Sequence, residues 1–263
     1  MSKDFKYKIK DNTLIIESCP NDILTTDLVN FTNIDSCKFI KKIYLCDGIK
    51  EIGEYAFSYY DFIESIRFPK TLKKIGTRAF FKCKYLMDFN IPEGIISIGD
   101  SAFGFCESLN NVLLPNSLKK LGIDAFACCY NLTNIKLSSN LNEIETGAFY
   151  YCKSLENVEF PEGIKVIKLA SFKECQSLKN IKFPSSLIKI ENEAFNSCIS
   201  LNNIVFSEGI EEIGEESFLN CCEINELIFP ESLISSNSSH FENTRVPIFI
   251  TPLFIRIFFN FEQ

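Results

Sequence analysis

Short runs of alternating hydrophobic and polar residues recur along the chain at a constant distance. In residues 155–160, LENVEF, Val158 and Phe160 flank Glu159, and this period of two predicts a short strand with one buried face. A proline or serine ends each run, as Pro161 does here, because proline cannot donate a hydrogen bond to a continuing ladder. A glycine or serine then marks a turn, and a second apolar run such as IKVI (164–167) predicts a further extended piece.

These runs belong to a repeat of 23 residues. A small residue precedes each repeated phenylalanine, and a cysteine or, once, a tyrosine follows it three positions later. Because one such unit cannot bury its own apolar side chains, the repeat predicts a solenoid in which neighbouring coils stack on each other. The repeated phenylalanines are Phe57, Phe80, Phe103, Phe126, Phe149, Phe172, Phe195 and Phe218.

The repeat predicts a β-dominated α/β fold with about nine stacked coils. We expect short parallel strands on a concave face. The segment SAFGFC (101–106) is too short for a regular helix and predicts a helical or 3₁₀ turn on the convex side. We expect an N-terminal capping hairpin and linker over residues 1–33, the repeats over 34–240, and a degenerate repeat with a hydrophobic tail over 241–263.

The motif I-G-x-x-A-F-x-x-C-x-x-L-x-x-I-x-[FL]-P, repeated at fixed spacing over about residues 40–235, resembles the BspA-type leucine-rich repeat family. The N-terminal residues 5–18 look like the hairpin that opens many such arrays. The resemblance implies a leucine-rich-repeat solenoid with a binding or adhesion role. It does not imply a catalytic site.

Composition narrows the classes of function. The net charge of −7 argues against a general nucleic-acid surface. The single histidine, His240, leaves little for acid–base or Cys/His nucleophilic catalysis. The first residues contain no apolar signal-peptide core, and with twelve cysteines this favours reduced thiols in the cytoplasm, with a non-standard route to the cell surface as the alternative. We predict a non-enzymatic protein without a cofactor or a metal.

Most of the cysteines fall in one column of the repeat, and two interpretations of that column are open. One is a thiol ladder for metal or redox chemistry, and the other is a small, soft, buried filler beneath the turn. A spacing of about 5 Å between coils does not gather four ligands around one ion, and Tyr60 replaces cysteine in the first full coil. The pattern therefore favours the filler. The column contains Cys83, Cys106, Cys129, Cys152, Cys175, Cys198 and Cys221.

The outward positions of the predicted strands are candidates for partner binding. One column contains five successive asparagines. They either contact a partner, or they bond to one another in a side-chain amide ladder or reflect a bias of composition towards asparagine, and we favour the last two interpretations over partner binding. Flanking charges alternate in sign and predict cross-strand ion pairs, although the concave face is still the expected partner surface. The asparagines are Asn111, Asn134, Asn157, Asn180 and Asn203, and the flanking charges are Lys136, Glu156, Glu159, Lys179 and Lys182.

Acidic residues are concentrated near the C-terminal end. Residues 190–244 contain eleven glutamates and no lysine or arginine, so this segment carries −11 and the remainder +4. The segment is either a solvated end or a docking site for a basic partner. The candidate docking residues are Glu211, Glu212, Glu215 and Glu216.

The final residues 246–263 are rich in phenylalanine and isoleucine and break the repeat. We expect them to cap the last coil; docking to another chain and association with a membrane surface rank second and third. The chain therefore fits a protein-interaction scaffold first and a BspA-like surface adhesin second. An enzyme ranks third, because no catalytic triad or phosphate loop is present.

Overall fold

A computed structural model describes residues 6–24, 39–87, 89–224, 230 and 233. These ranges contain eighteen strands, numbered β1 to β18 in chain order. The strands form two series on different sides of the coils, with every pair parallel except β1 and β2. The described residues form a solenoid of stacked coils joined by parallel strands, as the repeat predicts.

The longer strands form the front sheet. It is interrupted between β6 and β9, so the two parts have the orders β1-β2-β4-β6 and β9-β11-β13-β15-β17. Each three-residue strand buries only its central side chain, which is why the alternating pattern predicted these strands. The members are β1 (Lys6–Lys10), β2 (Thr13–Ser18), β4 (Lys42–Leu45), β6 (Ser65–Arg67), β9 (Asn111–Leu113), β11 (Asn134–Lys136), β13 (Asn157–Glu159), β15 (Asn180–Lys182) and β17 (Asn203–Val205).

The two-residue strands form the side sheet, which has the orders β3-β5-β7-β8-β10 and β12-β14-β16-β18. Each of these strands contributes one buried aliphatic residue, such as Ile98 or Ile144. The members are β3 (Ile23–Leu24), β5 (Glu51–Ile52), β7 (Lys74–Ile75), β8 (Ser97–Ile98), β10 (Lys120–Leu121), β12 (Glu143–Ile144), β14 (Val166–Ile167), β16 (Lys189–Ile190) and β18 (Glu212–Ile213).

The repeated phenylalanines form a continuous stack between the sheets. All eight rings are fully buried, and successive centroids lie 5.2 to 5.8 Å apart with interplanar angles of no more than 16°. Stacked rings of this kind contribute about 0.5–1.5 kcal/mol per pair beyond the burial of their area. The stack therefore fixes the register of each coil on the next.

We call the third side of each coil, for example residues 54–59, the turn side. Its backbone conformation differs from the predicted helical turn. No residue described there is in an α- or 3₁₀-helix; the described 3₁₀ turn, Pro20–Asp22, lies near the N-terminus. Two residues per coil have positive φ between 50° and 65°, for example Tyr55 and Tyr59, and such residues interrupt a helix. The helical or 3₁₀ turns predicted for the convex side are therefore wrong.

Hydrogen bonding on the turn side explains this conformation. The Ser58 N–H donates to the Tyr55 carbonyl within the coil (3.1 Å), whereas the Phe57 and Tyr59 N–H groups donate to Ala79 and Phe81 of the next coil (both 2.8 Å). Alternate amides thus bond within and between coils, whereas a helix would direct all of them along its own axis. The turn side is a third ladder that joins neighbouring coils.

Ala170 offers a direct test of the left-handed conformation on the turn side, because its φ is 52°. An alanine in the left-handed region costs about 1–2 kcal/mol, and glycine avoids that cost while losing somewhat more chain entropy on folding. Ala170→Gly should therefore raise the free energy of unfolding by about 0.5–1 kcal/mol. In a helical turn the same change would lower it by about 1 kcal/mol. Urea titration of both proteins measures the sign.

The matched control is Ala148→Gly, because Ala148 is fully buried in the next coil towards the N-terminus and its φ is not positive. The free energy of unfolding of this control should fall by about 1 kcal/mol or more, since glycine loses more chain entropy on folding and the buried methyl group is removed. Destabilisation by both substitutions to the same extent would contradict the left-handed turn at residue 170.

Candidate partner-binding surface

The outward face of the front sheet carries the column of asparagines that the sequence singles out. Register places Asn134 beside both Asn111 and Asn157, and all five asparagines are exposed. Asn134 Nδ2 donates to Asn111 Oδ1 (3.0 Å), and Asn203 Nδ2 donates to Asn180 Oδ1 (2.8 Å). The amide ladder is thus made of two bonded pairs on either side of Asn157.

Charged side chains flank this column in the same strands or directly before them. Lys179 and Glu156 form an ion pair at 3.4 Å. Lys136 lies opposite Glu159 in the register, and Lys182 occupies the same position two coils further on. These three side chains are exposed and make no ion pair with any residue that the structure describes. The predicted pairing is therefore present at one position, and the other charges are available to a partner.

The acidic end, which we define as Glu211, Glu212, Glu215 and Glu216, does not lie on the outward face of the front sheet. Glu212 lies in β18 of the side sheet and pairs with Lys189 at 3.0 Å, whereas Glu215 and Glu216 lie on the turn side of the same coil. Glu211, Glu215 and Glu216 are exposed and have no ion-pair partner among the described residues. The chain therefore presents two separate candidate surfaces, a mixed front face and an acidic end.

The cysteine column lies in the core and has a defined hydrogen-bonding role. Each thiol donates to the carbonyl of the repeated phenylalanine in the preceding coil, as Cys106 Sγ does to Phe80 O (3.3 Å). The same geometry recurs from Cys83 to Cys221, with distances of 3.1 to 3.3 Å. Because each thiol is buried and bonded to a backbone carbonyl, these contacts support the filler interpretation.

Burial also makes these thiols poor nucleophiles. Loss of hydration in the core raises the pKa of Cys106 and Cys152, and the same cause raises the pKa of Cys83, Cys129 and Cys175 well above its usual range. The thiolate is the reactive form, so these five thiols remain protonated and unreactive at neutral pH.

Two surface features were not found from the sequence. On the turn side, Lys82 lies 5.3 Å from the Tyr59 ring and 5.6 Å from the Phe105 ring, and Arg78 lies over Tyr55. On the front sheet, an open groove of about 660 Å³ lies where the ladder is interrupted after β6. A signal for the groove was present in the sequence, because Phe89 replaces the isoleucine or valine that the neighbouring coils have at the centre of the strand.

Comparison with known proteins agrees with this architecture. The family model of the BspA type leucine rich repeat region matches in 6 copies over residues 29–156 and 142–258. The chain belongs to this family. No curated protein sequence matches it significantly.

Solved leucine-rich repeat structures resemble this BspA-type chain. A leucine-rich repeat protein from Bacteroides ovatus ATCC 8483 is 26% identical, with a TM-score of 0.73 over 81% of this chain and 55% of that one, so the chain spans about half of its length. The T. pallidum leucine rich repeat protein is 20% identical, with a TM-score of 0.52 over 87% and 89% of the two chains. A leucine rich cell surface protein from Faecalibacterium prausnitzii A2-165 is 19% identical, with a TM-score of 0.50 over 95% of both.

Among the described residues of this BspA-type chain, no helix has the length and apolar character needed to cross a membrane. The tail at 246–263, His240, and the acidic residues Glu226, Glu231 and Glu242 lie outside the described residues. The predictions for the tail and for the boundaries of the N-terminal and C-terminal segments therefore stay predictions.

The raised thiol pKa values predict sensitivity to alkali. In the unfolded chain a cysteine ionises near pH 8.5, whereas the folded core keeps Cys106 and Cys152 protonated to higher pH. The stability that these thiols contribute is fully present below about pH 8.5 and is lost as the pH rises towards their folded pKa values. Removing one of them as Cys106→Ala should make the fall of the unfolding free energy less steep by about 1.4 kcal/mol per pH unit above about pH 9.

Urea titrations of the native protein and the variant between pH 7.5 and 10.5 measure this difference in slope. Cys222→Ala is the control, because Cys222 is only half-buried and lies outside the column. Equal slopes for the native protein and Cys106→Ala would show that the thiol ionises as readily in the core as in the unfolded chain.

Proposed function

We propose that the chain is a non-enzymatic scaffold that binds a protein partner through the outward face of the front sheet. The observation that carries this proposal is the contrast between the two faces of each strand. Inward positions repeat the same small set of apolar side chains, whereas the outward third position reads Leu113, Lys136, Glu159, Lys182 and Val205 in successive coils. Residues that vary on a rigid, repeated frame are suited to recognition, because each can match a different group on a partner.

Exposed apolar side chains support the same face. Leu113 is 62% exposed and Val205 is 52% exposed, although both lie in strands whose backbone is fixed by neighbouring coils. Together with the exposed asparagines, they provide the mixed apolar and polar surface typical of non-obligate interfaces. Membership of a leucine-rich repeat family supports a binding role and gives no support to catalysis.

The proposal includes the cytoplasm as the compartment in which the chain acts. All eleven cysteines in the described ranges are free thiols, which supports a reducing compartment and hence the cytoplasm. The alternative role, an adhesin at the cell surface, is favoured by membership of the BspA-type family. Biotinylation of intact cells separates the two roles, because only the adhesin would be labelled before lysis.

A photo-cross-linking experiment tests the proposed face. The residue p-benzoylphenylalanine is placed at Asn157, at the centre of the front face, or at Lys119, an exposed residue directly before β10 of the side sheet. Adducts should form from position 157 at least fivefold more than from position 119. They should be competed by excess unmodified chain but not by a chain carrying Asn134→Arg, Asn157→Arg and Asn180→Arg. Adducts of equal yield, or no adduct from position 157, would exclude the front face as the binding surface.

The acidic end provides a second, independent prediction for a basic partner. The changes Glu211→Gln, Glu215→Gln and Glu216→Gln should weaken such a partner's binding and reduce its salt dependence, because these carboxylates are exposed and unpaired among the described residues. Glu212→Gln alone should have less effect, since Glu212 already pairs with Lys189. Isothermal titration at two salt concentrations measures both effects.

The charge-matched control is Glu54→Gln, Glu107→Gln and Glu174→Gln, three positions on the turn side of other coils. If this control weakened binding as much as the acidic-end variant, the effect would come from net charge and the acidic end would not be a docking site.

A further inference from the structure

The interruption of the front sheet leaves a groove with an unusual charge. Its lining spans four successive layers, from Thr13 in β2 through β4 and β6 to Asn90 in the following coil. The described lining residues include the cations Lys42, Arg67 and Lys70 and no carboxylate. The described part of the lining is therefore positive in a chain whose net charge is −7.

The three cations are available for a ligand. All are exposed, and none forms an ion pair with a residue of the described ranges, whereas the neighbouring Lys41 is already paired with Glu64 at 2.6 Å. The guanidinium carbon of Arg67 lies 4.6 Å from the centroid of the Tyr44 ring, and register places these two residues side by side on β4 and β6. This cation–π contact holds the guanidinium over the sheet, where two of its N–H groups can donate to a carboxylate.

Phe89 explains why the groove lies at this coil. The equivalent position is Ile66 in the coil before and Val112 in the coil after, both central residues of front-sheet strands. The Phe89 ring is larger than these aliphatic side chains and stacks on Phe103, with centroids 4.9 Å apart. The front-sheet ladder is interrupted at this coil, and the surface beside β6 forms a groove.

We propose that this groove binds an extended acidic peptide segment of a partner protein. Four layers spaced by about 4.8 Å give a length of about 15 Å, which suits four or five residues of extended chain. The cations recognise carboxylates, and Tyr44, Asn90 and Pro92 provide apolar and amide contacts that a simple polyanion would not use. The inference goes beyond the proposed function, because it assigns a ligand of opposite charge to the one expected at the acidic end.

Fluorescence anisotropy of the full chain tests the assignment. The probes are a labelled peptide of glutamate and leucine, the same peptide with every glutamate replaced by glutamine, and inorganic polyphosphate as a competitor. The native protein should bind the glutamate peptide and not the glutamine peptide. The variant Lys42→Gln, Arg67→Gln, Lys70→Gln should raise the Kd at least tenfold, and Arg67→Lys should have an intermediate effect because it keeps the charge but loses the fork.

The control variant is Lys119→Gln, Lys120→Gln, Lys165→Gln, which removes the same charge from exposed positions away from the groove. It should change the Kd by less than twofold, and thermal melting should show that both variants fold.

Three binding results would overturn the assignment. They are equal weakening of binding by the two variants, no binding of the glutamate peptide by the native protein, and displacement of that peptide by polyphosphate far more readily than by unlabelled glutamate peptide. A dimer in sedimentation that the groove variant abolishes would also overturn it, because a second copy would then occupy the groove. Since the probes are defined peptides, failure here leaves the cross-linking test of the front face unaffected.

Discussion

Each coil of this protein depends on its two neighbours for the hydrogen bonds of its backbone. In the front sheet, in the side sheet and on the turn side, backbone amides of one coil donate hydrogen bonds to carbonyl groups of a neighbouring coil. The phenylalanine stack fills the space between these three sides. Backbone groups buried without partners cost too much for a single coil to be stable alone. The repeat keeps a constant period of 23 residues because a shift in the register of one coil would break the hydrogen bonds on all three sides together.

The same constraint separates residues that can act from residues that cannot. Side chains that face inward, including the cysteine column, must pack against the equivalent side chain one coil away and are hidden from any partner. Cys106 viewed alone is a candidate nucleophile or ligand. Beside Cys83 and Cys129 it is one of a series of protonated donors to phenylalanine carbonyls. In the role that we propose, a partner contacts the outward residues, and above all those that differ between coils.

Much of the architecture could be predicted because stacking imposes a strict pattern on buried residues. The strands, the phenylalanine stack and the cysteine column were all visible in that pattern. The turn side was not, because its left-handed positions are occupied by residues as different as Tyr55, Arg78 and Glu193. Among the described positions of that column, only Gly147 carries the usual glycine signal for positive φ. The groove depends on Tyr44 orienting Arg67 across two coils, a contact that is seen only once the register is known.

Amide hydrogen exchange measured by NMR tests the central claim, which is that the turn side is a ladder between coils. The amides of Phe103 and Phe126 donate to Ala125 and Ala148 of the next coil, at 2.8 and 2.9 Å. If the claim is correct, they should exchange as slowly as the amides of Val112 and Ile135 in the front sheet, because both are released only when neighbouring coils separate. Exchange of Phe103 and Phe126 at the rate of an open loop, with Val112 and Ile135 still protected, would contradict it.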